Sequence, residues 1–214
     1  MKVYPIFLVG LNQNRCIVVG GGREAQSKVK GLLECDATVT IICAKITKQL
    51  RVWVNETRID WIDRDYQSGD LKGAHLVIST EHDLQVNEQI WKDAESEGAL
   101  INVVDDPTHC NFIAGSIVRQ GALTIAISTS GSAPDLAVRL RERMEREFGP
   151  EYSAFLELMK SLRTVMAARF PDFAERRARW YTLIDSDILD QLRAGRTEIA
   201  RQRISEIIGE TSLL

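Results

Sequence analysis

Between Arg15 and Val104 the chain alternates short, β-branched apolar runs with stretches whose apolar residues recur at helical spacing. The apolar runs are CIVV (16–19), TVTIIC (38–43), RIDWI (58–62), HLVIS (75–79) and LINVV (100–104), each of strand length. Helical patterns lie between them near 24–34, 46–56 and 84–97. Strands that are apolar on both faces and separated by helices predict a parallel sheet covered on both sides. Right-handed crossovers then give a doubly wound α/β fold whose ligands gather at the carboxyl ends of the strands.

The pattern changes after Phe112. SIVRQGALTIAIS (116–128) predicts two strands joined by a turn at Gln120-Gly121. The small-residue loop TSGSAP follows, with Pro134 suited to a first helical turn. The next helix repeats apolar residues at Leu136, Leu140, Met144 and Phe148 and stops at Gly149-Pro150. That stripe is either core or a seam between two copies. From 151 onward the pattern is helical, with breaks near Pro171 and Gly195. The expected organisation is a Rossmann-like domain over 1–114, a strand–strand–helix region over 115–149 and a helical C-terminal domain over 150–214.

Composition narrows the function classes without choosing one. Apolar residues make up 44% and charged residues 27% of 214, ordinary values for a globular chain. A net charge of −3 argues against general nucleic-acid binding. The apolar patch in MKVYPIFLVGLNQNR is too short for a signal-peptide core, and no run approaches the roughly 20 apolar residues of a membrane span. A cytoplasmic protein is expected. Cys16, Cys35, Cys43 and Cys110 form no C-x-x-C pair, and with His75, His82 and His109 they show no zinc-ligand spacing; reduced thiols are expected.

Two constellations carry candidate chemistry. Gly20-x-Gly22-x-x-Ala25 fits the dinucleotide pattern, placed after a strand and opening a helix. In that pattern the first glycine permits the tight turn, the second lets a pyrophosphate approach the backbone, and the small third residue allows close helix–strand packing. The helix N-terminus adds unsatisfied N–H groups. The acid that usually holds the adenosine ribose at the end of the second strand is missing, because that position reads Cys43-Ala44-Lys45. Lys45 would suit a 2′-phosphate, so from these residues NADP stands beside NAD. The second constellation is NVVDDPTHCNF (102–112), which puts Asp105 and Asp106 at the carboxyl edge of the fifth strand. Adjacent carboxylates at a strand end can cap a turn, or one can serve as a proton acceptor. His109 and Cys110 read as loop residues.

Four blocks, VVGGGREAQSKVKGLL, GAHLVIST, INVVDDPTHCNF and LTIAISTSGSAPDLAVRLRERME, occur in the order and spacing of the precorrin-2 dehydrogenase family, the dehydrogenase/ferrochelatase part of siroheme synthase. The chain resembles that family strongly over about 4–150 and weakly through ERRARWY (175–181). The resemblance implies NAD-dependent oxidation of precorrin-2 to sirohydrochlorin and, in some members, insertion of Fe²⁺. It also implies a homodimer formed largely through the 115–149 region, with each active site in a cleft between two chains. It places the catalytic role on Asp105 and the dinucleotide contacts on Gly22, Arg23, Glu24, Ala44 and Lys45; Gly20 and Gly21 of the glycine turn and Thr80 are further cofactor-binding candidates. The family lacks the ribose acid as well, which restores NAD as first choice.

Precorrin-2 carries eight carboxylates, and the segment Leu136 to Tyr181 holds ten Arg or Lys against seven Asp or Glu. Arg139, Arg141, Arg176, Arg177 and Arg179 are candidate partners for them. The loop Ser128-Thr129-Ser130-Gly131, leading into a helix, is a further candidate. Two departures from the family pattern stand out. Asp36-Ala37 replaces the usual Gly-Ala, and Asp tolerates a left-handed conformation. The A-T-D-D that follows the fourth strand appears as Ser79-Thr80-Glu81-His82. Thr129 occupies the position of a serine that is phosphorylated in some relatives, so that regulation is not carried over. The chain ends at Leu214 without a methyltransferase segment, so a separate enzyme is expected to supply precorrin-2. The rival reading is a non-catalytic NAD-sensing module, which explains the glycines but leaves NVVDD and the basic helices without a role.

Overall fold

The computed structural model describes residues 2–209, so position 1 of the expected first domain and positions 210–214 of the last lie outside the described residues. It divides into two compact units, Lys2–Ala114 and a second that starts at Gly115.

The first unit is built on five parallel strands, β1 (Arg15–Val19), β2 (Thr38–Ile42), β3 (Asp60–Ile62), β4 (Ala74–Ser79) and β5 (Leu100–Val103), in the order β3-β2-β1-β4-β5. Helices α1 (Arg23–Leu33) and α2 (Lys48–Asn55) cover one face, and α3 (Leu84–Ser96) covers the other. Period-two alternation along β1 divides the core between them. Cys16 and Val18 pack with Ala25, Val29, Leu50 and Trp53, whereas Ile17 and Val19 pack with Ile90, Ala94 and Leu71. Full burial of each large apolar side chain stabilises the fold by about 1.5–3 kcal/mol.

Because β1 pairs with β2 on one side and β4 on the other, the strand order reverses beside it, and in sheets of this kind ligands bind in the crevice outside the carboxyl ends at that point. The chain passes from β3 to β4 through 63–73, which contains no helix. Polar contacts hold this segment in shape. Arg64 donates bidentately to Asp70 at 2.7 and 2.7 Å, and the Tyr66 hydroxyl donates to Asp93 at 2.5 Å. Leu71 anchors it in the core. After α1, Asp36 adopts the left-handed conformation with φ 55°, as its replacement of a glycine predicts.

The second unit opens with an antiparallel hairpin of β6 (Ser116–Gln120) and β7 (Leu123–Ile127). Gln120 pairs with Leu123, so the turn is Gly121-Ala122, one residue beyond the predicted Gln120-Gly121. The reason is backbone geometry: Gly121 has φ 57°, and this turn takes glycine at its first central position. Helix α4 (Pro134–Glu147) follows, then α5 (Glu151–Arg169), α6 (Phe173–Ile184), α7 (Ile188–Arg193) and α8 (Thr197–Ile208). The expected breaks near Pro171 and Gly195 separate α5 from α6 and α7 from α8. A third break, between Ile184 and Ile188, carries no comparable sequence signal. Phe155, Met159, Leu162, Met166, Leu183, Ile188, Ala200 and Ile204 form the helical core. At the head of α5 the buried Glu151 accepts from Arg193 Nε and Nη2 at 3.0 and 2.9 Å.

The α4 stripe is thinly covered. Leu136 is 52% exposed, Leu140, Met144 and Phe148 are half-buried, and Ala137 is the buried residue of this helix.

Candidate functional site

The crevice beside β1 is lined first by the glycine turn. Gly20 has φ 107° and donates its N–H to the Ile42 carbonyl at 3.0 Å. A Cβ there would collide with Thr80 Oγ1, and one on Gly21 would run into the Lys45 carbonyl. These two glycines are therefore explained by the fold: they let β1 hand over to α1 while the loops after β2 and β4 close against the turn. Gly22 differs. It is the N-cap of α1 with φ −78° and ψ −168°, a conformation open to other residues, and a Cβ on it would meet no protein atom within 4 Å. No side chain caps α1 here, although Thr47 caps α2 and Asp83 caps α3. An uncapped helix N-terminus behind an exposed glycine is a surface that a pyrophosphate can approach, so the residues fit a dinucleotide.

Around the turn, Arg23, Glu24, Ala44 and Lys45 are exposed. Thr80 is 8% exposed, its N–H and hydroxyl both directed to the Val19 carbonyl at 2.9 and 3.2 Å, so it buttresses the turn from behind. The end of β2 presents no carboxylate. Cys43 donates to the Lys45 carbonyl at 3.2 Å, and Trp61 Nε1 donates to the Cys43 carbonyl at 2.8 Å.

Two strands along the same edge, the residues after β5 divide the two aspartates between different tasks. Asp106 accepts from the Thr108 N–H at 3.2 Å and pairs with His109 Nδ1 at 2.6 Å, capping a short 3₁₀ turn (Pro107–His109). Asp105 is exposed, stands in the left-handed region with φ 61°, and makes no hydrogen bond among the described residues. Aspartate is among the few non-glycine residues that visit this region, where most side chains would cost about 1–2 kcal/mol. Cys110 and Asn111 are structural. The Cys110 thiol bridges the Val103 and Asp106 carbonyls at 3.3 and 3.2 Å, and Asn111 satisfies the open edge of β5 through the Ile101 N–H (2.7 Å) and the Ala99 carbonyl (3.0 Å). Burial raises the Cys110 pKa, which keeps it a thiol. No group of three or more His, Cys, Asp or Glu among the described residues could hold a metal ion.

The hydrogen bond from His109 lowers the Asp106 pKa below the usual carboxylate range. Its contribution is therefore present above the unfolded value of about 3.9 and lost as pH falls through the lower folded value. Asp106→Asn should accordingly destabilise the protein at neutral pH, and the gap to wild type should narrow in acid as pH falls through the lowered folded value. Denaturant melts at neutral and acid pH measure this; a gap that persists in acid would contradict it.

Glu81, noted in the sequence only as part of the altered Ser79-Thr80-Glu81-His82 block and given no role there, adjoins the glycine turn. It is half-buried, its Oε1 lies 3.2 Å from where a Gly20 Cβ would stand, and its carboxylate makes no hydrogen bond among the described residues. Burial, then the nearby Asp65, raise its pKa. The available signal was topological: in a doubly wound sheet the residue after β4 adjoins the glycine turn after β1.

In the second unit the Ser128 hydroxyl accepts from the Ser130 N–H at 3.1 Å and Thr129 Oγ1 from the Ala133 N–H at 3.3 Å, with Ser130 and Gly131 at φ 54° and 80°. Arg139 is exposed, paired with Glu142 at 3.0 Å, an arrangement weak enough to be exchanged for another carboxylate. Other candidate arginines are more committed. Arg176 donates to the Phe170 and Pro171 carbonyls at 2.6 and 3.0 Å, Arg179 to Ile207 at 3.4 Å, Arg177 to the Tyr181 hydroxyl at 3.2 Å and Arg141 to Glu145 at 2.5 Å.

Residues 7–116 match a family described as putative NAD(P)-binding, 120–147 one described as sirohaem biosynthesis protein central, and 151–208 one described as sirohaem synthase dimerisation region. The chain is 32% identical over 222 residues to a siroheme synthase of Actinobacillus pleuropneumoniae serotype 7, covering 100% of this chain and 46% of that protein. It is 34% identical over 208 residues to one of Pseudoalteromonas translucida, covering 97% and 44%. The chain thus spans under half the length of these curated relatives. A solved structure titled SirC, precorrin-2 dehydrogenase, shares the fold with a TM-score of 0.75 at 20% identity, over 96% of this chain and 100% of that one.

Proposed function

The chain belongs to the siroheme synthase family, and from that premise we propose that it oxidises precorrin-2 to sirohydrochlorin with NAD. The observation that carries the reading is Asp105: a carboxylate free of protein partners, at the end of β5, on the same sheet edge as the uncapped glycine turn. Bound NAD would supply the hydride acceptor. The protein's own work is to hold the dinucleotide over Gly22, with Arg23, Glu24, Ala44 and Lys45 around it and Thr80 bracing the turn, and to take a proton at the Asp105 carboxylate. The same carboxylate suits a second step, in which Fe²⁺ enters as substrate and pyrrole protons leave. For the eight carboxylates of the tetrapyrrole, we assign Arg139 and the loop Ser128-Thr129-Ser130-Gly131. We place this activity in the cytoplasm, as expected from the sequence; no helix among the described residues is long and apolar enough to cross a membrane.

Incubation with enzymatically made precorrin-2 and NAD⁺, followed by Fe²⁺ or Co²⁺, tests the reading. The expected result is NADH formation with the absorbance change of macrocycle oxidation. Absence of NADH from protein that binds NAD⁺ would favour a sensing module and overturn the proposal. A further absorbance change after metal addition would establish the second step.

We further propose a homodimer. The hairpin and α4 bury Val118 and Ala137 but leave Ile117, Leu136 and Val138 39%, 52% and 40% exposed, more apolar surface than an isolated chain gains by keeping. Leu136→Glu is expected to convert a dimer into a folded monomer in sedimentation velocity. A wild-type chain that sediments as a monomer would refute this.

A further inference from the structure

The strands line up β2-β1-β4-β5, so their carboxyl ends present Lys45, the glycine turn, Glu81 and Asp105 in that order. Neighbouring strands lie about 4.8 Å apart. A dinucleotide whose pyrophosphate rests on the β1 turn has its adenosine toward β2 and its other half toward β4 and β5. Glu81 therefore stands one strand beyond the pyrophosphate, on the nicotinamide side.

Its backbone is fixed there. The Glu81 N–H donates to Ser79 Oγ at 3.3 Å, and its carbonyl accepts from Asn87 Nδ2 at 2.8 Å; Ser79 and Asn87 are buried and joined at 2.6 Å. The carboxylate itself lacks a protein donor among the described residues, and two of the charges that act on it, Asp65 and Asp83, are acidic. A half-buried carboxylate with no protein donor takes its hydrogen bonds from water or from a ligand that displaces it. On that side of the pyrophosphate a dinucleotide offers the two neutral hydroxyls of its second ribose, a match for one carboxylate. The pyrophosphate itself is an anion and would be repelled.

We propose that Glu81 positions the dinucleotide by accepting hydrogen bonds from the hydroxyls of the nicotinamide-side ribose. This rests on the dinucleotide site proposed above. It assigns the absent β2 acid no substitute at the adenosine and locates the ribose recognition of this chain at the other end of the cofactor.

ADP and ADP-ribose separate the two ends, because only ADP-ribose carries the second ribose. Calorimetric titration of the full chain and of Glu81→Gln with each is the test. The variant is expected to bind ADP-ribose and NAD⁺ roughly 10-fold more weakly and ADP as tightly as wild type, with an unchanged or higher melting temperature. Unaltered ADP-ribose affinity would overturn the assignment. So would an equal loss for ADP, which would make Glu81 a prop for the Gly20 turn. Wild-type protein that bound neither ligand would instead remove the dinucleotide reading on which the assignment stands.

Discussion

Asp105→Asn is expected to lower the rate of precorrin-2 dehydrogenation by about 10²–10⁴-fold while NAD⁺ binding and melting temperature stay close to wild type. Asparagine is the informative replacement because Asp105 sits at φ 61°, a conformation asparagine adopts about as readily as aspartate. Asp105→Ala should lose the same activity and, in addition, about 1–2 kcal/mol of stability, since alanine is strained there. That would lower the melting temperature by roughly 2–8 °C. The pair of variants thus separates the carboxylate from the backbone that presents it. Asp106→Asn supplies the contrast, because Asp106 is occupied by His109 and the Thr108 N–H and should matter for stability more than for turnover. Near-normal NADH production by a folded Asp105→Asn protein would remove Asp105 from the chemistry.

Gly22→Ala and Gly21→Ala should fail in opposite ways. At Gly22 the backbone suits alanine and the added methyl meets no protein atom, so folding should be unaffected. The methyl would enter the space through which a pyrophosphate reaches the first turn of α1, and NAD⁺ affinity should fall at least about 10-fold. At Gly21 the methyl meets the Lys45 carbonyl, and the turn cannot readily move away because the Gly21 carbonyl accepts from the Thr47 N–H at 3.0 Å. Overpacking of this kind costs about 1–3 kcal/mol, so Gly21→Ala should melt lower whether or not NAD⁺ is present. Thermal melts with and without NAD⁺ distinguish the two. Wild-type affinity in Gly22→Ala would mean that the dinucleotide does not lie over this face.

Legibility differed by element. The alternation of strands and helices from CIVV to LINVV was enough to read the parallel sheet, since strand faces and helix faces are written in local spacing. The glycine turn could be located the same way, and both aspartates stand at the end of β5 as the NVVDD block predicts. The family resemblance put the role on Asp105, but the residues alone did not separate it from Asp106, because the physical difference depends on where His109 returns after Pro107. The sequence flagged Glu81 within an altered block but gave it no role, because that role comes from Gly20, a residue 61 positions earlier on the neighbouring strand. The crossing segment 63–73 was unassigned for a related reason: its shape is set by Arg64, Tyr66, Asp70 and Asp93 side chains, not by a backbone period. The arginines of α6 read as candidate partners for substrate carboxylates, yet Arg176 and Arg179 donate to carbonyls of other segments.

By itself the sequence determined the strand order's underlying grammar, the uncapped glycine opening of α1 and the carboxylates that follow β5, because period, glycine geometry and strand ends are properties of neighbouring residues. Only the tertiary structure decided that Asp106 caps a turn while Asp105 stays free, that Gly20 and Gly21 serve packing while Gly22 faces open space, and that Glu81 stands beside the turn. Those outcomes depend on which polar groups find partners across the sheet edge, and partner choice is made by atoms far apart in the chain.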